Sequence, residues 1–125
     1  MHALGHHLLA DLRGCDPAHL SDLELVRNAM LQAARDSGAT VVTQSFHHFS
    51  PLGISGVVIV SESHLAIHTW PEFGFAALDY FTCSDRVDQA KAIETMRCAL
   101  GAQEINTREI SRGEGLGLES SLFAG

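Results

Sequence analysis

Residues 57–70 read VVIVSESHLAIHTW, and the reactive side chains of the protein concentrate in the middle of that stretch. Two apolar, strand-forming runs, 57–60 and 65–70, are joined by Ser61, Glu62, Ser63 and His64, with His68 a few residues further on. A connection that only had to reverse the chain would use Asn-Gly, Asp-Gly or glycine-rich chemistry. In Glu62-Ser63 a hydroxyl lies one residue after a peptide carbonyl it can attack, provided the backbone is strained and a base is near. Attack by Ser63 Oγ gives an ester, and removal of the Ser63 α-proton then eliminates the Glu62 carboxylate. Hydrolysis of the dehydroalanine left behind yields a pyruvoyl group at a new N-terminus, an electron sink made from the chain itself. Most serines in turns are only turn residues, so this pair alone does not establish the reaction.

Two other chemistries compete. His47, His48, His64, His68 and Cys83 are potential metal ligands, but neither HExxH nor CxxC spacing occurs, and eight histidines in 125 residues scatter onto strands by composition alone. Cys83 with His68 or His47 would make a thiol–imidazole pair of the kind thiol enzymes use. Against that, a cysteine closing the strand FAALDYFTC is, taken alone, better read as a small buried hydrophobe.

The elements that must position these groups follow from periodicity. Residues 4–12 alternate as a half-buried strand. SDLELVRNAMLQAARDSG spaces Leu23, Val26, Ala29, Met30, Ala33 and Ala34 helically, with Ser21 and Glu24 as a capping box and Gly38 as its stop. Strands are expected at 39–48, 55–61, 64–70 and 75–83, the last entered through the turn PEFG. A second helix starts near Asp85 and ends at Gly101, and QEINTREI is a polar edge strand. Residues 111–125, rich in glycine, form a flexible tail. The order strand, helix, four strands, helix, strand predicts an α+β two-layer sandwich, a mostly antiparallel sheet with two helices on one face. Because GVVIV is apolar at consecutive positions, the other face also needs a cover, and a homodimer provides one.

The totals narrow the function. A chain of 125 residues with 46% apolar and 18% charged residues makes one globular domain. A formal charge of -7 disfavours nucleic acid and suits a small cationic substrate. No apolar run is long enough to span a membrane, and three unevenly spaced cysteines suit reduced thiols, so a cytoplasmic protein is expected. A single lysine, Lys91, placed mid-helix, equips the chain poorly for pyridoxal phosphate.

The combined stretch PLGISGVVIVSESHLAIHTWPEFGFAALDYFTC, preceded by GHHLLADL and SGAT, closely resembles the bacterial S-adenosylmethionine decarboxylase proenzymes of the short, pyruvoyl-dependent class, to about residue 100. The resemblance implies self-cleavage between Glu62 and Ser63 into a 1–62 β chain and a 63–125 α chain, with Ser63 becoming the pyruvoyl group. It implies His68 as the base in processing, Ser55 as a processing aid and Cys83 as the catalytic proton donor. By similarity, Phe49, Leu65 and Trp70 line the substrate pocket, and Glu72 accepts the ribose diol. The substrate α-amino group would condense with the Ser63-derived ketone as a Schiff base, which takes up the electrons when carbon dioxide leaves, with neither pyridoxal phosphate nor a metal. The family pairs as a homodimer with active sites at the interface and serves polyamine (spermidine) synthesis.

The chain departs from the family at Phe73 and Phe75, where tyrosines are common, and at His48, where a longer basic side chain is common. These departures bear on substrate identity, so an ornithine or arginine decarboxylase on the same scaffold is the alternative, and an uncleaved, non-enzymatic homologue or partner subunit a further one.

Overall fold

The computed structural model describes residues 3–61 and 63–116. Glu62 lies outside the described residues, as do residues 117–125 of the expected tail. Six strands, β1 (Gly5–Arg13), β2 (Val41–His48), β3 (Ile54–Val60), β4 (Ser63–Trp70), β5 (Phe75–Thr82) and β6 (Glu104–Arg112), form one sheet in the order β2-β3-β4-β5-β1-β6. Every neighbouring pair is antiparallel. Helices α2 (Leu23–Asp36) and α3 (Gln89–Leu100) lie against one face, with a short α1 (Pro17–Leu20) before them. This is the expected α+β two-layer architecture, with β6 at an edge.

Strand side chains alternate between faces, and burial follows parity: Leu8, Ala10 and Leu12 of β1, Leu65 and Ile67 of β4, and Ala76, Leu78 and Tyr80 of β5 are all at most 5% exposed. They pack on Val26, Met30, Ala33, Ile93, Met96 and Leu100 of the two long helices in one core. Polar groups in and beside that core find partners. Ser37 Oγ and Tyr80 Oη are 2.7 Å apart, and Thr95 of α3 donates to Asp36 of α2 at 2.6 Å, which with Gln32 holds that carboxyl below its usual range.

Several boundaries differ from the expectation. Asp22, not Ser21, caps α2, accepting from Leu25 N at 3.1 Å, while Ser21 closes α1 and donates to Pro17 O. Residues 85–86 form a turn, and α3 begins only after Asp88, whose carboxylate accepts from Lys91 N. PEFG is a 3-10 turn, Pro71–Phe73, closed by Gly74 at φ 60. The last strand runs to Arg112, two residues into the stretch expected as tail. Among the described residues no helix is long and apolar enough to cross a membrane.

The face away from the helices carries His64, Ala66, His68 and Trp70 of β4, flanked by Ser55, Val57 and Ile59 of β3 and by Phe75, Ala77, Asp79 and Phe81 of β5. Ile59 is 43% and Trp70 39% exposed. The second layer that GVVIV calls for is thus not supplied by the chain's own described residues.

Candidate active site

The candidate residues fall into two groups at opposite ends of β4. At its start, Ser63 is half-buried and faces the helices, opposite Thr82 of β5. Its hydroxyl donates to Thr82 Oγ1 at 2.7 Å. The next residue along, Cys83, is exposed just past the end of β5. The turn presenting it is closed by Ser84 N donating to the same Thr82 oxygen at 3.0 Å. Gln89 Nε2 clamps this rim from α3, donating to Tyr80 O at 2.8 Å and His6 O at 3.0 Å.

At the other end, His68 stands on the open face opposite Ser55, with Ser55 Oγ and His68 Nδ1 sharing a hydrogen bond of 2.8 Å. These two, with Phe49, Trp70 and Glu72, line a hollow of about 270 Å³. Phe49 is 48% exposed and packs its ring edge against His47, centroids 4.5 Å apart. Trp70 stacks obliquely on Phe75 at 5.3 Å, and the Arg13 guanidinium lies 5.3 Å from the Phe75 centroid. Thr69 anchors the hollow from below: Ile54 N donates to its hydroxyl at 2.9 Å, which donates to Leu20 O at 3.0 Å. Gly53 can approach Thr69 because it lacks a side chain; a Cβ there would meet Thr69 O at 3.1 Å, at a φ of +100.

Within one chain the two groups do not meet. Ser63 and His68 are five residues apart on one straight strand, roughly 17 Å at about 3.3 Å per residue, and they point to opposite faces. The nearer imidazole, His64, stacks on Phe81 with centroids 5.9 Å apart and planes inclined by 26°, and His7 meets the same ring nearly perpendicular at 5.8 Å. His7 Nε2 is buried there without a hydrogen-bond partner.

Leu65 is fully buried at 0% exposure on the helix face that Ser63 shares, and it does not line the hollow at the His68 end of β4. Cys83 is exposed in this chain and is not a small buried hydrophobe. That description belongs to Cys15, 4% exposed, whose thiol burial pushes up to about 11. His47, His48, His64, His68 and Cys83 do not converge, and no His, Cys, Asp or Glu cluster suited to a metal ion occurs among the described residues. Thr69 and Thr82 escaped sequence reasoning. The signal that points to them is a hydroxyl at an inward strand position, where it must find a partner.

Comparison with known proteins shows the family. The family described as S-adenosylmethionine decarboxylase matches residues 6–113. The chain is 54% identical over 114 residues to the S-adenosylmethionine decarboxylase proenzyme of Acidithiobacillus ferrooxidans, covering 91% of this chain and 86% of that one. It is 51% identical over 113 residues to the proenzyme of Thermotoga maritima, covering 90% and 87%. The crystal structure of the adenosylmethionine decarboxylase from Aquifex aeolicus superposes with a TM-score of 0.83 at 33% identity, covering 90% of this chain and 93% of that one.

Proposed function

The chain belongs to the S-adenosylmethionine decarboxylase family, and from that membership we propose that it cleaves itself between Glu62 and Ser63 and decarboxylates S-adenosylmethionine to the aminopropyl donor of polyamine synthesis. The observation that carries the reading is the division of its reactive groups into two complementary sets: Ser63 with Cys83 at one end of β4, Ser55 with His68 beside the aromatic hollow at the other. A homodimer that lays the start of one β4 against the end of the other completes two sites at once, as a two-fold pairing of identical surfaces does. The same pairing covers Val57, Ile59 and Ala66, which lie on the open face between the two sets.

The residues then have defined tasks. Ser63 Oγ bonds to the Glu62 carbonyl carbon as the C–N bond breaks and the amine takes the proton, giving an ester. With Nδ1–H donating to Ser55 Oγ, His68 Nε2 of the second copy is a free base for the Ser63 α-proton. Ser55 keeps its own O–H to steady the oxyanion. Cleavage of the Ser63 Cβ–Oγ bond releases the Glu62 carboxylate, and hydrolysis with loss of ammonia leaves the ketone.

The site fits a pyruvoyl group: Ser63 is half-buried at a rim that offers the Thr82 hydroxyl and, one residue on, the Cys83 thiol. Once formed, that group supplies an electrophilic ketone conjugated to an amide, an electron sink for decarboxylation. Cys83 Sγ holds the proton that replaces the carboxylate on the substrate α-carbon. Phe49 and Trp70 offer ring faces to adenine, and the Glu72 carboxylate accepts from the ribose diol. The -7 chain charge attracts the sulfonium. A thiol that must stay reduced suits the cytoplasm.

Intact mass spectrometry tests self-processing. The expected result is two fragments, 1–62 and a pyruvoyl-capped 63–125, from the wild type and one chain from Ser63→Ala. A wild type that stays whole refutes the proposal. Carbon dioxide release from S-adenosylmethionine, and not from ornithine or arginine, is expected of the cleaved protein.

A further inference from the structure

One oxygen atom joins the two reactive groups at the start of β4. Thr82 is 2% exposed, its Oγ1 accepts the Ser63 hydroxyl at 2.7 Å, and it accepts Ser84 N–H at 3.0 Å. A hydroxyl oxygen has two lone pairs, and both are engaged. The first bond fixes the rotamer and proton of Ser63 and leaves the lone pairs of Ser63 Oγ free to attack. The second closes the turn that carries Cys83 out to the surface, and Arg86 N donating to Ser84 Oγ at 3.1 Å continues that turn. The frame around the oxygen is held independently by Gln89 on the carbonyls of Tyr80 and His6. Losing the Thr82 hydroxyl would therefore free Ser63 without dismantling the rim.

We propose that Thr82 is the positioning residue for self-processing, holding Ser63 Oγ in its attacking orientation through the Thr82 Oγ1 hydrogen bond. This rests on the self-cleavage reading above. Thr82 stays neutral throughout. The Oγ–C bond forms on the Glu62 carbonyl as the C–N bond breaks, and the Ser63 hydroxyl proton ends on the Ser63 amine. After β-elimination Ser63 Oγ leaves as part of the Glu62 carboxylate, so the Ser63–Thr82 bond exists only in the uncleaved chain. The Ser84 bond outlasts it. A merely structural threonine would not distinguish the two stages.

The test follows cleavage of freshly synthesised full-length chains by intact mass, in wild type, Thr82→Val and Thr82→Ser. Thr82→Val is expected to lengthen the cleavage half-time about tenfold or more, the cost of one orienting hydrogen bond to a nucleophile, and Thr82→Ser to restore it to within about threefold. Thermal midpoints of Thr82→Val and Thr82→Ser, both in the Ser63→Ala background, read the structural cost separately, since neither can contain the Ser63 bond. Cleavage of Thr82→Val at the wild-type rate overturns the proposal, as does a Thr82→Ser variant as slow as Thr82→Val. Should Thr82→Val not fold, Thr82→Ala removes the hydroxyl with less bulk, and wild-type cleavage by it overturns the proposal equally. A wild type that never cleaves defeats the self-processing reading and this inference with it, whereas a cleaving wild type matched by Thr82→Val defeats this inference alone.

Discussion

Mixing two inactive variants separates a site built by two copies from one built by a single chain. In one chain Ser63 and His68 stand roughly 17 Å apart by strand rise, several times hydrogen-bond distance, and on opposite faces of the sheet. No rotamer change closes that gap, because both residues are held in the β4 ladder between β3 and β5. Under the proposed roles Ser63→Ala lacks the nucleophile and His68→Ala the base, so neither alone is expected to cleave. In a mixed dimer, Ser63 of the His68→Ala chain meets the intact His68 of its partner, and one of the two sites is complete. With equal expression and random pairing about half the dimers are mixed, so about half of the His68→Ala chains, and a quarter of all sites, should be cleaved. Co-expression with two affinity tags, tandem purification of mixed dimers and intact mass give the count directly. The Ser63→Ala chain should remain whole in every sample. Isolated mixed dimers with no cleaved chain, or His68→Ala cleaving alone at the wild-type rate, would refute the divided site.

Three further outcomes follow from single residues. Glu72→Gln keeps the shape of an exposed side chain but would lose the charge-assisted bonds proposed to the ribose diol, so KM for S-adenosylmethionine should rise about tenfold with normal cleavage; steady-state kinetics on the cleaved protein checks this. Gly56→Ala would drive a Cβ into Cδ2 of the Phe46 ring on the facing strand, and the displaced ring should cost about 1–3 kcal/mol, read from denaturant midpoints. Cys15 adds a pH dependence: unfolded, its thiol ionises near 9.0, while burial in the fold delays this to about 11. Its contribution is therefore full below pH 9 and lost as pH rises from 9 toward 11, so the stability difference between wild type and Cys15→Ser should shrink across that window.

The sheet was legible because its signals are strong and local. The β-branched run 54–60 and the alternation in β1, β4 and β5 set both the strands and their faces, and the helix faces of α2 and α3 came from 3.6-residue spacing. What escaped were elements decided by competition between neighbouring caps. Asp16, Ser21 and Asp22 can each cap a helix, and only packing of Leu20 into the core makes α1 a separate turn, leaving α2 to Asp22. The second helix begins after Asp88 rather than near Asp85, because Asp88 takes the N-cap and its own N–H goes to Ser37 O. The site residues came from a motif, and a motif carries identity without orientation. Leu65 sits between Ser63 and His68 in sequence, yet parity turns it inward to the core, a conclusion that alternation alone could have supplied.

That same parity argues for where the base must come from. On a strand of period two, an odd separation always puts two residues on opposite faces, so Ser63 and His68 are divided by face as well as by distance. His64 shares the His68 face and is the closest imidazole in sequence, but it is spent on packing, stacked on Phe81 with His7 nearly perpendicular to the same ring. The chain thus occupies its near imidazole with aromatic contacts and gives the far one a hydroxyl partner, Ser55, on an exposed stretch of sheet. Between the two sets lie Val57, Ile59 and Ala66, apolar side chains that gain by leaving water. Burying them against a second copy is favourable in itself and brings each His68 to the end of the other sheet at which Ser63 lies. Under the proposed function, assembly therefore comes before cleavage, and the hydrophobic stripe that keeps the half-sites apart in one chain is what brings them together in two.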